Sequence, residues 1–258
     1  MEHRILKTGF FLADGGAMFG STPKKVWRQK YPFDEENRCK LGMNCLLVWN
    51  ENRIVLLDAG VGNKELGRLS CYKFTDRKDA HKLVHSHGFE PEEVTDVVLS
   101  HLHFDHCGGC SYWDKRGNLQ IAFPNATHWV SEKQWQNYLQ PNALEKDVFR
   151  QEDLLPVFNA GLIRRIDSNC ELFEGFYMKL FDGHTQGQIV SLIEGKNGSN
   201  LLFTGDVIPT KAHLSDEWIS AYDVEPLQSL AAKIALKEWT KQKNITTIFY
   251  HDPYHLSS

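Results

Sequence analysis

The sequence has no apolar run near the roughly 18 residues that a membrane-spanning helix needs, so no contact with a membrane is expected. Cysteine is sparse for the length: six in 258 residues, scattered at 39, 45, 71, 107, 110 and 170. That density excludes a disulfide scaffold and points to reduced thiols. No excess of one charge is present, with a net charge of -4 and both signs interspersed. Such a surface offers no electrostatic footprint for a nucleic acid. Internal repeats, low-complexity segments and Pro/Gly/Ser-rich linkers are absent, which leaves one domain spanning 1–258 as the expectation. The opening residues, MEHRILKTGFFLADGG, hold only a short apolar piece ending at Asp14. They lack the apolar core and cleavage site of a signal peptide, and the expected location is cytoplasmic.

What is present is a series of short apolar runs that end in glycine, aspartate or histidine. Residues 9–14, 44–50, 53–60, 94–101, 176–183, 188–195, 200–206 and 246–252 read as strands. The polar pair Glu51-Asn52 between two of them predicts a hairpin. Residues 128–133 begin as a strand and turn into a helix through QWQNYL. Residues 76–88, closed by Gly88, and 225–243 carry helical spacing. Strands in clusters broken by helices predict an α/β (α+β) fold, with sheets packed on each other and helices outside, in two similar halves.

The stretch SHLHFDHCGG, residues 100–109, concentrates the chemistry: His101, His103, Asp105 and His106 form H-x-H-x-D-H directly after the apolar VVLS. Four titratable groups so close are not tolerated in a core unpaired, and a solvated loop has no need of them. In extended chain, residues i and i+2 point the same way, so His101 and His103 can approach one ion together. Asp105 and His106 lie past the strand end and can reach a second. Further donors stand alone after other apolar runs: His184 between Gly183 and Gly187, Asp206 after Gly205, and His251 in IFYHDP. One site then takes His101, His103 and His184. The other takes Asp105, His106 and His251, and Asp206 bridges the two with its two oxygens. Imidazole and carboxylate donors suit two divalent ions, zinc first, with manganese, iron or cobalt also fitting.

With H-x-H-x-D-H at 101–106, G-H-T-x-G at 183–187, T-G-D at 204–206 and His251, the chain resembles the metallo-β-lactamase superfamily over roughly residues 44 to 252. The resemblance implies an αββα four-layer sandwich: two mixed sheets face to face, helices outside and metals at one edge. It also implies that Asp58, in LLDAG, supports a metal ligand from behind without binding metal itself. His103 stands where flavodiiron-type oxidoreductases carry Glu, which argues against redox iron. Zinc β-lactamases usually lack the Asp206 bridge in this form and are exported. Nucleic-acid-processing members tend to carry basic patches or added domains, and neither is visible in the sequence.

Residues 14–41, HLHFDHCGG and IPTKAHLSDEWISAYDVEP resemble the quorum-quenching N-acyl-homoserine lactonases and their relatives, which include organophosphate hydrolases. That likeness implies hydrolysis of a small lactone or ester, in which a metal-bridging hydroxide attacks the carbonyl and Asp105 or Asp206 passes a proton to the leaving oxygen. Met18 and Phe19 either contact an acyl tail or pack in the core. In some lactonases a tyrosine three residues after the bridging aspartate helps polarise the carbonyl; here that position is Pro209. Tyr222 and His213, in the same connection, are the substitutes. Phosphotriester or thioester hydrolysis on the same metals is the alternative, and a metal-binding protein without activity is the alternative outside enzymes. A glutathione thioesterase would want a basic C-terminal extension, and only seven residues follow His251. Cys107 and Cys110 read as small residues packing under the metal loop, and His81, His85 and His87 as solvated. A homodimer is a further expectation, through the Trp-rich N-terminal segment.

Overall fold

A computed structural model describes residues 1–195, 198–241 and 245–256. The strands, in chain order, are β1 Glu2–Asp14, β2 Arg38–Trp49, β3 Ile54–Leu57, β4 Asp96–Val98, β5 Ser111–Trp113, β6 Leu119–Ile121 and β7 Thr127–Ser131. They continue with β8 Ile163–Ile166, β9 Cys170–Phe173, β10 Phe176–Phe181, β11 Gln188–Ile193, β12 Asn200–Phe203 and β13 Ile245–Ile248. The helices are α1 Gly15–Phe19, α2 Lys24–Trp27, α3 Ala80–Ser86, α4 Phe104–Cys107, α5 Glu132–Leu139, α6 Gln151–Asn159 and α7 Pro226–Thr240. One sheet has the order β1-β2-β3-β4-β7-β8 and a second β13-β12-β11-β10-β9; β5 and β6 form a separate hairpin.

Both main sheets are mixed. In the first, β1, β2 and β3 are antiparallel neighbours, whereas β3, β4, β7 and β8 run parallel. The β2–β3 turn is closed by Asn50, whose side-chain oxygen accepts from the backbone N–H of Asn52 and Arg53 at 2.9 and 2.8 Å. In the second sheet only β12 and β13 are parallel. Strand β11 shows why this sheet must lie between two layers. All its residues are buried, and they alternate in partner: Ile189 and Ile193 join the cluster shared with the first sheet, Val190 and Leu192 the cluster under α7. Helix α7 covers that outer face with Ala232 and Leu236. Helices α3 and α5 pack on the first sheet, against β1 and against β7 and β8. The four-layer sandwich expected from the sequence is the observed architecture.

Element bounds differ from expectation in instructive ways. Strand β1 begins at Glu2, well before residue 9, because its charged first half pairs with the apolar β2 from Glu2↔Trp49 onward. The expected helix over 76–88 narrows to α3, with Gly88 following it at φ +93°. The helix expected over 225–243 is α7, and residues 242–243 lie outside the described residues. Strand β7 does hand over directly to α5, whose N-cap Ser131 accepts the N–H of Gln134 at 3.1 Å. Helix α6, the β5–β6 hairpin, β8 and β9 carried no clear periodic signal. Trp27 packs within this chain, stacked on Phe19 at 4.9 Å.

Candidate metal centre

Five strands end at one edge, and each delivers a donor there. Asp58 follows β3, His101 and His103 follow β4, His184 follows β10, Asp206 follows β12 and His251 follows β13. Asp105 and His106 sit on the one-turn helix α4, which starts where the β4 extension ends. The two glycines after it allow close approach to the β3 end. A Cβ on Gly109 would stand 2.0 Å from the Ala59 carbonyl oxygen, and one on Gly108 2.5 Å from that of Val61.

All seven residues singled out as metal ligands converge. His101 Nε2 and His103 Nδ1 are 3.1 Å apart, and His184 Nε2 lies 3.3 Å from His103 Nδ1. On the other side, Asp105 Oδ2 lies 3.7 Å from His106 Nε2 and 3.5 Å from His251 Nε2. Asp206 stands between: Oδ2 is 3.3 Å from His184 Nε2, and Oδ1 is 3.6 Å from His106 Nε2 and 3.2 Å from His251 Nε2. Ligand atoms of His101, His103 and His184, and those of Asp105, His106 and His251, form two groups, and His101, His106 and Asp206 form a third that links them, each with its atoms within 4.8 Å of one another. Two of the central atoms, His106 Nε2 and Asp206 Oδ1, are buried without a hydrogen-bond partner. A buried donor set left partly unsatisfied, all imidazole and carboxylate, fits divalent cations.

Every ring is fixed from behind. His106 donates Nδ1–H to Asp58 Oδ2 at 2.7 Å, His184 donates Nδ1–H to Asp223 Oδ1 at 3.0 Å, and His251 donates Nδ1–H to the Gly42 carbonyl at 2.8 Å. His101 Nδ1 meets the Ser100 hydroxyl at 3.1 Å, and that hydroxyl donates to Asp58 Oδ2 at 2.7 Å. His103 is turned the other way, with Nε2–H on Glu145 Oε1 at 2.9 Å and Nδ1 facing the cluster. These carboxylate and carbonyl partners assign the tautomers and leave the inward nitrogens as lone-pair donors. Asp58 thus has the place expected of it, and it holds a left-handed φ of +56° to do so.

Charge follows the geometry. Burial alone would push the Asp206 carboxyl up, but His251, His106 and His184 around it hold it well below the usual carboxylate range. Burial likewise works against charge on His106, yet Asp206, Asp105 and Asp58 outweigh it and push the imidazole well above its ordinary value. His101, deep among other histidines, is pushed well down by burial. The protein by itself therefore already balances carboxylates against imidazoles.

The cluster forms the floor of a cavity of about 200 Å³, walled by Phe11, Leu41, Phe104, Val148 and Val224 among others. Met18 and Tyr222 line it, Met18 while also belonging to the buried core. No lysine or arginine is among its described lining residues. Phe19 takes the core alternative as against the pocket one, and the expectation for His213 is corrected. Phe19 is fully buried, stacked between Trp27 and His213, and does not reach the cavity. His213 lies behind it, with one ring nitrogen on the Thr210 hydroxyl at 2.7 Å and the other on the Met18 carbonyl at 2.9 Å. Both nitrogens are spent on structure, and the side chain lines no part of the cavity. Pro209 has a structural task as well: its carbonyl accepts the His251 N–H at 2.9 Å. Cys107 and Cys110 are buried beneath the α4 turn, as expected. His85 and His87 are exposed, whereas His81 is half-buried, stacked on Tyr112.

Sequence reasoning missed Glu145, Asp223, Tyr250 and Gln134. Tyr250 stacks on His106 at 4.0 Å and donates its hydroxyl to the Asp105 carbonyl at 2.5 Å. Gln134 accepts the Leu102 N–H at 3.0 Å and donates to Thr185 Oγ1 at 2.6 Å, joining the two histidine loops. Neither Glu145 nor Asp223 stands in a ligand spacing that marks it in the sequence. The signal that could have found Tyr250 is its place next to His251.

Comparison with known proteins agrees with this geometry. A model of the metallo-beta-lactamase superfamily matches residues 41–242. An N-acyl homoserine lactonase of Bacillus thuringiensis subsp. kurstaki is 25% identical over 219 residues, covering 81% of this chain and 80% of the relative. The crystal structure of a probable metal-dependent hydrolase from Staphylococcus aureus superposes with a TM-score of 0.91 at 28% identity, over 99% of this chain and 91% of that one. A dizinc quorum-quenching lactonase in complex with a product superposes with a TM-score of 0.76 at 21% identity, over 99% and 88%, a likeness of fold alone.

Proposed function

The chain belongs to the metallo-beta-lactamase superfamily as a metal-dependent hydrolase, and on that premise we propose that it opens a lactone or related small ester of the N-acyl homoserine lactone type. One observation carries the reading: two three-residue donor groups joined by Asp206 lie at the floor of a largely apolar cavity with no lysine or arginine among its described lining residues. His101, His103 and His184 would hold one divalent ion, and Asp105, His106 and His251 the other, with Asp206 between the two donor groups. Zinc suits these donors best. Such a pair of ions would polarise the ester carbonyl and make a shared water acidic enough to attack near neutral pH.

The chain's own groups do the rest. Asp105 and Asp206 line the cavity and carry the proton from the attacking water to the leaving alkoxide. Tyr222, a lining residue whose hydroxyl meets that of Tyr72, offers an O–H to the substrate carbonyl. Met18 contacts the acyl tail. The absence of lysine or arginine from the described lining argues for a substrate without an anionic tail. A neutral phosphotriester meets the same requirement and is the second reading.

A pH-indicator hydrolysis assay of the zinc- or manganese-loaded protein, on a short- and a long-chain N-acyl homoserine lactone, tests this. Turnover is expected with the metal-loaded protein and absent after Asp206→Ala. Absence of lactone turnover by fully loaded protein, with turnover of a neutral phosphotriester, would transfer the assignment to the second reading.

A further inference from the structure

Apart from His101, which leans on Asp58 through the Ser100 hydroxyl, the two halves of the centre are held from different parts of the molecule. His106 and His251 lean on Asp58 and the Gly42 carbonyl, both of the first sheet's framework. His103 and His184 lean on Glu145 and Asp223, which belong to neither sheet. Glu145 lies in the connection between α5 and α6, and Asp223 in the connection before α7. Each connection is also a wall of the cavity, through Leu144 and Val148 on one side and Ala221, Tyr222 and Val224 on the other.

Glu145 is the one buried residue between 139 and 147; its neighbour Leu144 is 75% exposed. A lone buried carboxylate in an exposed segment is an anchor, and its partners show to what. Oε1 accepts from His103 Nε2 at 2.9 Å and from the Thr185 hydroxyl at 2.6 Å. Oε2 accepts from Asn137 Nδ2 at 2.8 Å and from the Asn142 amide. With four donors on two oxygens it has no lone pair left for substrate or ion.

We infer that Glu145 and Asp223 are positioning residues that couple occupancy of the His101–His103–His184 position to the seating of the two cavity walls. The inference rests on the metal reading above. Ligation needs the inward nitrogens of His103 and His184 free of protons, so their protons sit on the outer nitrogens. The carboxylates accept hydrogen bonds from those outer N–H groups only while the wall connections are seated. By linkage, what seated walls add to ion affinity, a bound ion returns as order in the walls. The framework-built position has no such tie.

The test uses the whole chain, stripped with a chelator and reloaded with Zn²⁺ or Co²⁺. Affinity and stoichiometry are read against a competing chromophoric chelator, and amide hydrogen exchange is followed over 140–149 and 219–225. Wild type binds two equivalents, and loading slows exchange in both segments. Glu145→Gln keeps one equivalent unchanged, binds the other about 10–100-fold more weakly, loses metal-dependent protection over 140–149 and alters the Co²⁺ visible spectrum. Asp223→Asn does the same over 219–225. Asp58→Asn, which touches His106 directly and His101 through Ser100, weakens both equivalents yet leaves both walls protected once metal is loaded. Thr185→Val, which removes a single donor to Glu145, gives a smaller effect of the same sign if the Gln variant does not fold. Wild-type affinities and wild-type protection in both carboxylate variants would overturn the coupling. Fewer than two equivalents bound by wild type would overturn the metal reading and the coupling with it.

Discussion

His184 and His213 look alike in the sequence, each a histidine among small and polar neighbours. The structure separates them by what their ring nitrogens meet: His184 keeps one for the cluster, and His213 spends both on structure. His128 is a third kind, fully buried with Nδ1–H on the Ala126 carbonyl at 3.0 Å. Burial pushes His128 and His213 each from 6.5 down to about 4, so the folded state holds both neutral. The unfolded chain takes up those protons first as pH falls below 6.5. Stability is therefore full above that value and is lost progressively toward pH 4, by roughly 3 kcal/mol per histidine. Urea unfolding of the metal-free protein checks this. Between pH 7 and pH 5 the wild type should lose about 2 kcal/mol more than His128→Leu. Equal losses in the two proteins would refute the assignment.

The turn after H-x-H-x-D-H is held by elements far from it in sequence. Lys64 and Asp153 are both completely buried, with Nζ 3.1 Å from Oδ1. Lys64 also donates to the Gly108 carbonyl and, at 2.6 Å, to that of Ser111, which clasps the α4 turn to α6. Burial pushes the Asp153 carboxyl up to about 6 even with Lys64 and Arg150 beside it. Removing one partner leaves an uncompensated buried charge. Lys64→Met should cost about 3–5 kcal/mol in chemical denaturation, and adding Asp153→Leu should recover most of it. A double variant no more stable than the single one would mean the clasp acts through packing and not charge. Elements with a clean period were legible in the sequence: the β2–β3 hairpin, β11 with its doubly buried run, and the β7–α5 junction. Helix α6 was not, because Pro156 interrupts it and Leu155 and Phe158 face outward at 47% and 50% exposure.

At the scale of the whole molecule, the metal centre joins both sheets, since its donors follow β4 of the first sheet and β10, β12 and β13 of the second. An ion held there binds only the folded chain, and at a hundred times its dissociation constant it adds about 2.7 kcal/mol. For a chain of this size that raises Tm by about 5–10 °C. Zinc should raise the melting temperature of the stripped wild type by that amount and that of Asp206→Ala far less. A rise of the same size in Asp206→Ala would show that Asp206 does not join the two donor groups.

The sequence by itself determined which residues would meet at the centre, because ligand spacing is local chemistry: H-x-H in extended chain, a donor after each apolar run, glycines where the backbone must pass close. It also determined the layered fold, because strand and helix periods are written residue by residue. What stands behind the ligands and what walls the cavity come from packing between distant segments. Glu145 and Asp223 carry no local mark until folding sets them behind His103 and His184, and Phe19, open between pocket and core in the sequence, is stacked on His213 in the core. Those outcomes depend on which distant segments share a volume, and no local period records that.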